Sequence, residues 1–141
     1  MHIEEAKIYL KREYRQGLIS LAMAKKVADK IEPLLPRGWN CSMFLGTWLS
    51  IEKTEEMVHA SEFRVVCDLV EKVTGKKVER SARSEKMLKG EVWIKEKLNR
   101  YLHIEIYLAD VDGCRIERKQ ETREVYVASP ECLGIRQEEV R

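Results

Sequence analysis

From Glu91 to Val127 the side chains alternate in polarity. Val92, Ile94, Leu102, Ile104, Ile106, Leu108, Cys114 and Ile116 are apolar, while Trp93, Lys95, Tyr101, His103, Glu105, Tyr107, Arg115 and Glu117 are polar or amphipathic. A period of two sends successive side chains to opposite faces, so the stretch predicts three or four consecutive antiparallel strands with one buried and one open face. Lys97-Leu98-Asn99-Arg100 supplies the first turn. Val111-Asp112-Gly113 suits a three-residue hairpin loop with Gly113 left-handed. That loop sets Leu108 opposite Ile116, Tyr107 opposite Glu117 and Glu105 opposite Lys119. Apolar parity becomes odd at Val125 and Val127, which requires a turn or bulge near Lys119 to Thr122.

An apolar sheet face needs cover, and the preceding residues contain it. Ile3 to Gln16 reads as a helix with Gly17 as its C-cap, and Ser20 to Glu32 as a second, with Met23, Val27 and Ile31 on one line and Pro33 as the stop. Residues 1–35 are therefore expected to form a helical hairpin. A DNA-reading helix-turn-helix fits less well, because Leu21, Ala22, Met23 and Ala24 make the second helix a packing element. Trp39 to Ile51 alternates as one long strand or as a pair broken near Gly46. Phe44 and Trp48 fall on the open-face parity, either packing under the hairpin or joining a contact surface. A third helix starts at Ser61, carries the stripe Phe63, Val66, Cys67, Val70 and Val73, and ends at Gly75. Lys77 to Ala82 reads as a short edge strand followed by a loop, and the tail after Pro130 as loosely held. The expected architecture is a single α+β domain over 1–141: helical hairpin and third helix packed on one face of a mostly antiparallel sheet within 39–129, then the tail 130–141.

Of the chain's 141 residues, 26 are basic and 24 acidic, so the net charge of +2 does not steer it toward nucleic acid and any basic site is local. Cys41, Cys67, Cys114 and Cys132 lie too far apart for a zinc motif, and Met1-His2-Ile3-Glu4-Glu5 is acidic where a leader is basic. These features predict reduced thiols in a cytoplasmic protein, with Cys41, Cys67 and Cys114 as small core residues. No apolar run approaches the ~20 residues that span a bilayer. His2, His59 and His103 are scattered, Asp110-Val111-Asp112-Gly113 lacks the later ligands of a calcium loop, and Thr74-Gly75-Lys76-Lys77 lacks the glycine-rich lead of a phosphate loop. No metal, cofactor or catalytic residue is assigned, and an enzyme is not expected.

The open sheet face carries the functional expectation. Trp93, Lys95, Tyr101, His103, Tyr107 and Arg115 point one way, beside the basic stretch holding Lys76, Lys77, Arg80, Arg83 and Lys86. Rings flanked by cations suit base stacking with phosphate neutralisation, and they equally suit a protein interface. Glu91, Glu105, Glu117 and Glu124 share that face and repel phosphate, which favours a protein partner over a nucleic acid or nucleotide. An edge strand and exposed rings also offer a patch for a homodimer or higher homo-oligomer.

In Pro36-Arg37-Gly38-Trp39-Asn40-Cys41 and in Gly113-Cys114-Arg115-Ile116-Glu117-Arg118-Lys119-Gln120-Glu121-Thr122 the chain resembles small proteins of Gram-positive phages and prophages. The similarity covers about a third of the chain, in texture and order of elements. The resemblance implies a setting: small proteins of such genomes include inhibitors of host defence, such as anti-CRISPR proteins that occupy a nuclease surface and proteins that sequester signalling nucleotides. The expectation for this chain is a non-enzymatic, phage-derived binding protein that docks on another macromolecule. A DNA mimic would be strongly acidic, which this chain is not.

Overall fold

A computed structural model describes residues 2–44, 48–53, 58–96, 100–120 and 124–135, with Phe44, Glu96, Arg100, Tyr101, Gln120 and Glu124 described by backbone alone. Residues 97–99 and 121–123, where two of the turns were expected, and Gly46 lie outside the described residues.

The N-terminal segment is one helix, α1 (Ile3–Ile31), and not a hairpin. A glycine in a helix interior costs only about 1 kcal/mol relative to alanine, too little to break a long run of good helix formers. Gly17 is therefore read through, and α1 ends where a 3-10 turn at Glu32–Leu34 brings in Pro33. Its C-terminal half buries Ser20, Ala24 and Ile31, with Met23 and Val27 partly buried.

The chain continues through β1 (Asn40–Phe44) and β2 (Trp48–Lys53), the broken pair, which are antiparallel. After β3 (Val58–His59) comes α2 (Ala60–Thr74), whose His59 side chain accepts from the Ser61 N–H and whose C-cap Gly75 takes the left-handed conformation at φ 69°. The apolar stripe of α2, Phe63, Val66, Cys67 and Val70, is fully buried. β4 (Glu79–Ser84) follows, and the expected loop is a tight turn at Glu85 and Lys86 into β5 (Met87–Glu96), then β6 (Arg100–Leu108).

These strands form a five-stranded sheet in the order β1-β2-β6-β5-β4, antiparallel except where β2 runs parallel to β6. Leu88, Val92, Leu102, Ile104, Ile106 and Leu108 face the helices and are buried, as the alternation requires. At Gly90 the sheet leaves no room for a side chain, since a Cβ there would sit 2.9 Å from Val78 Cγ1 and 3.1 Å from Cys67 Sγ on α2.

The expected hairpin between Leu108 and Ile116 does not form. Both edges of β6 are already occupied, by β5 and β2, so no ladder is free for a further strand. Gly113 is left-handed as expected (φ 70°), but β7 (Val111–Asp112) pairs with β3, while β8 (Ile116–Gln120) pairs with β9 (Glu124–Ala128) in a separate ribbon. Residues 130–135 are tied down as well, while 136–141, the rest of the expected tail, lie outside the described residues. α3 (Pro130–Leu133) buries Cys132 and Leu133, and Cys132 is disulfide-bonded to Cys114. That bond replaces the reduced pair read from spacing alone.

Candidate functional site

On the face away from the helices, register alone assembles a cluster. β5 sets Lys89 against Tyr107, Glu91 against Glu105 and Trp93 against His103, while the parallel β2 places Trp48 beside His103. Trp93 stacks on the His103 ring at 4.0 Å with planes 6° apart, and Trp48 meets that ring edge-on at 6.4 Å. His103 is consequently 8% exposed, whereas Trp93 remains 48% exposed.

Beneath the rings lies a network of charge. His103 Nε2 is 2.8 Å from Glu91 Oε1, so this nitrogen carries the proton, and the Trp93 indole N–H donates to the same oxygen at 3.2 Å. Lys89 Nζ bridges Glu91 at 3.3 Å and Glu105 at 3.4 Å, and the Tyr107 hydroxyl donates to Glu105. Burial alone would raise the Glu91 carboxyl, but Lys89, His103 and the Trp93 indole together hold it below the ordinary range. Burial and the Glu105 carboxylate push Tyr107 up to about 12, against a smaller opposing pull from Arg83.

Glu91, His103 and Glu105 bring three ligand-type atoms within 4.8 Å of one another. The Lys89 ammonium already provides the positive charge against both carboxylates, so a divalent ion would have to displace it. One ammonium against two carboxylates leaves the set net negative, and its hydrogen bonds make it a support for the rings above it. No nucleophile touches His103 among the described contacts, and burial raises both free thiols, Cys41 to about 11 and Cys67 further.

The expected residues divide into groups. Trp93, His103 and Tyr107 come together on the open face with exposed Lys95, which pairs with Tyr101 in the ladder; the Tyr101 side chain lies outside the described residues. Arg83, at the bulge of β4, reaches the Tyr107 end. Arg115 precedes β8 and pairs with Glu117, so neither belongs to this face, and Glu124 in β9 is apart from it too. Lys86 occupies the β4–β5 turn, where its carbonyl accepts from the Val111 N–H. Lys76 and Lys77 line a polar recess of about 660 Å³ at the end of α2.

Arg80 is a structural residue and not a docking cation. Its guanidinium bonds Asp68 at 2.6 Å and Glu71 on α2, and the Leu133 and Gly134 carbonyls at 2.8 and 3.2 Å, with the side chain only 3% exposed. Sequence reasoning placed Lys89 at the end of the basic stretch beside the sheet and not on it, because a loop was expected through that position; extending the β5 parity back from Glu91 puts it on the open face. Trp48 was placed on the correct parity, but its neighbour His103 required the parallel β2–β6 pairing, which leaves no local mark.

No family model matches this chain, and no curated protein or solved structure gives a significant match. No described helix is long and apolar enough to cross a membrane.

Proposed function

We propose that the chain is a non-enzymatic binding protein that docks on another protein through the open sheet face, centred on Trp93. The observation that carries this reading is a half-exposed tryptophan held flat on a buried, hydrogen-bonded histidine. A ring immobilised before binding loses little side-chain entropy on association, and tryptophan is the residue most enriched at binding hot spots. Among the described residues this face carries Glu52, Glu79, Glu91 and Glu105 against Arg83, Lys89 and Lys95, and Lys89 is engaged by two of the acids. Such a balance gives phosphate no net attraction, so a protein partner fits better than a nucleic acid or nucleotide. The texture shared with small phage and prophage proteins extends the proposal to inhibition of a host defence system such as a CRISPR nuclease.

Capture from host lysate at low and high salt tests the reading, comparing the wild type with Trp93→Ala. A protein retained by the wild type at both salts and lost by Trp93→Ala supports it. Retention of nucleic acid that collapses as salt rises would replace it with the phosphate-binding alternative. Equal capture by Trp93→Ala would remove the sheet face from consideration.

A further inference from the structure

Two recesses adjoin along α1 on the helical side of the sheet. The first, of about 360 Å³, opens at the seam where α1 meets the end of α2 and β5, and its wall is apolar: Ile19, Met23, Val27, Val73 and Ile94, all partly buried. Ala22 and Lys26 are the exposed members of that lining, and its other polar group, the Thr74 hydroxyl, already donates to the Val70 carbonyl at 2.7 Å. The second, of about 340 Å³, holds Ile8 and Ile19 between Lys11 and Arg15 on one side and Arg12 and Gln16 on the other. Ile19 lines both recesses, and their α1 residues share one half of the helix circumference, so the two join end to end.

Charge in the second recess is all of one sign. Neither lining contains a carboxylate among the described residues, and none of Lys11, Arg12 and Arg15 is ion-paired among them. Glu4 pairs with Lys7 at 3.4 Å, Glu5 accepts from the His2 N–H at 3.2 Å, and Glu13 is on the far side of the helix. Like charges three and four residues apart repel, and the Gln16 amide nitrogen is buried with no hydrogen-bond partner among the described residues. An anion with acceptor oxygens relieves both. We infer that the joined recess binds a single-chain amphiphile, its carboxylate or phosphate head on Lys11, Arg12 and Arg15 and its alkyl chain along the apolar seam. Ile19 to Val27 covers about 12 Å of helix axis, the extended length of roughly ten carbons. A bilayer surface fits less well, because the apolar wall turns inward between α1, α2 and β5, where a planar headgroup layer does not reach.

The seam lies on the opposite side of the sheet from Trp93, so the inference does not depend on the open face being a docking site. Isothermal titration calorimetry of the full chain with dodecanoate, kept below its micelle-forming concentration, tests it. One molecule per chain is expected, with a dissociation constant of about 100 µM or tighter. Octanoate, four methylenes shorter, should bind at least about tenfold more weakly, and dodecyl phosphate should compete for the same site. Arg12→Gln with Arg15→Gln changes only exposed positions and should weaken dodecanoate about tenfold or more. Ala22→Trp fills the seam from an exposed position and should weaken it too, with the urea midpoint of each variant showing that the fold is kept. The inference is overturned if dodecanoate leaves the wild type unbound at about 1 mM, if several molecules bind each chain, or if dodecyltrimethylammonium binds as tightly. Folded variants that bind like the wild type overturn it as well, as does sedimentation with vesicles of phosphatidylcholine and phosphatidylserine in place of dodecanoate binding.

Discussion

Replacing Arg80 by methionine keeps an apolar stem and removes the guanidinium, which separates the residue's structural role from any role in binding. The charged group makes two bonds to the Leu133 and Gly134 carbonyls at the end of α3 and two to α2 carboxylates. Bonds to charged groups are worth about 1.5–3 kcal/mol each in isolation, and removing one partner of a buried pair costs about 3–5 kcal/mol. Here the cost sits at the lower end, because the Asp68 side chain is 68% exposed and recovers its solvation on release. Glu71 and the two carbonyls keep less access to water. A net loss of about 3 kcal/mol follows, and with a urea slope of roughly 2 kcal/mol/M the unfolding midpoint should fall by about 1.5 M. A double-mutant cycle with Glu71→Gln should return a coupling of about 1 kcal/mol or more. Capture through the sheet face should be unaffected. A midpoint shift worth less than about 0.5 kcal/mol would refute the reasoning, because it would mean that the Leu133 and Gly134 carbonyls and Glu71 gain as much from water as from the guanidinium.

Two further perturbations address the sheet. Glu91→Gln should cost about 1 kcal/mol at neutral pH by weakening the bonds from Lys89 and His103. A carboxyl whose folded pKa is depressed stabilises the fold above its unfolded pKa and loses that contribution as pH falls through the folded value. The gap between variant and wild type, followed by urea titration, should therefore narrow on acidification; a gap that widens contradicts the proposed network. Gly90→Ala should destabilise by about 1–3 kcal/mol, since its Cβ would press on Val78, Cys67 and Ile106 and both sides of that contact are core; a neutral thermal shift would place α2 farther from the sheet than described.

What could be read from the residues was whatever repeats locally. The β5 and β6 alternation, the α2 stripe and Gly75 each carry their own periodicity or backbone requirement, and all appear in the fold. Pairing between distant strands carries no such mark. The parallel β2–β6 ladder displaced the expected β6–β8 hairpin even though Gly113 adopts the predicted conformation, because a turn residue specifies a bend and not the partner beyond it. Gly17 misled for the opposite reason: a local helix-stop signal was outweighed by the strength of the flanking residues.

The same distinction explains the candidate site. Parity placed Trp93, His103 and Tyr107 on one face, but how each is held comes from which neighbour it meets across the ladder. His103 stacked under Trp93 and bonded to Glu91 is a fixed platform; a histidine at the same parity opposite a small residue would be a solvated side chain. The Lys89 bridge works in the same way. Placed between Glu91 and Glu105 it cancels the repulsion of two carboxylates on facing strands, which otherwise destabilises such a pair. The platform and the sheet register thus hold each other in place, since a slip of one residue would bury the rings' charged supports and expose Ile104 and Ile106.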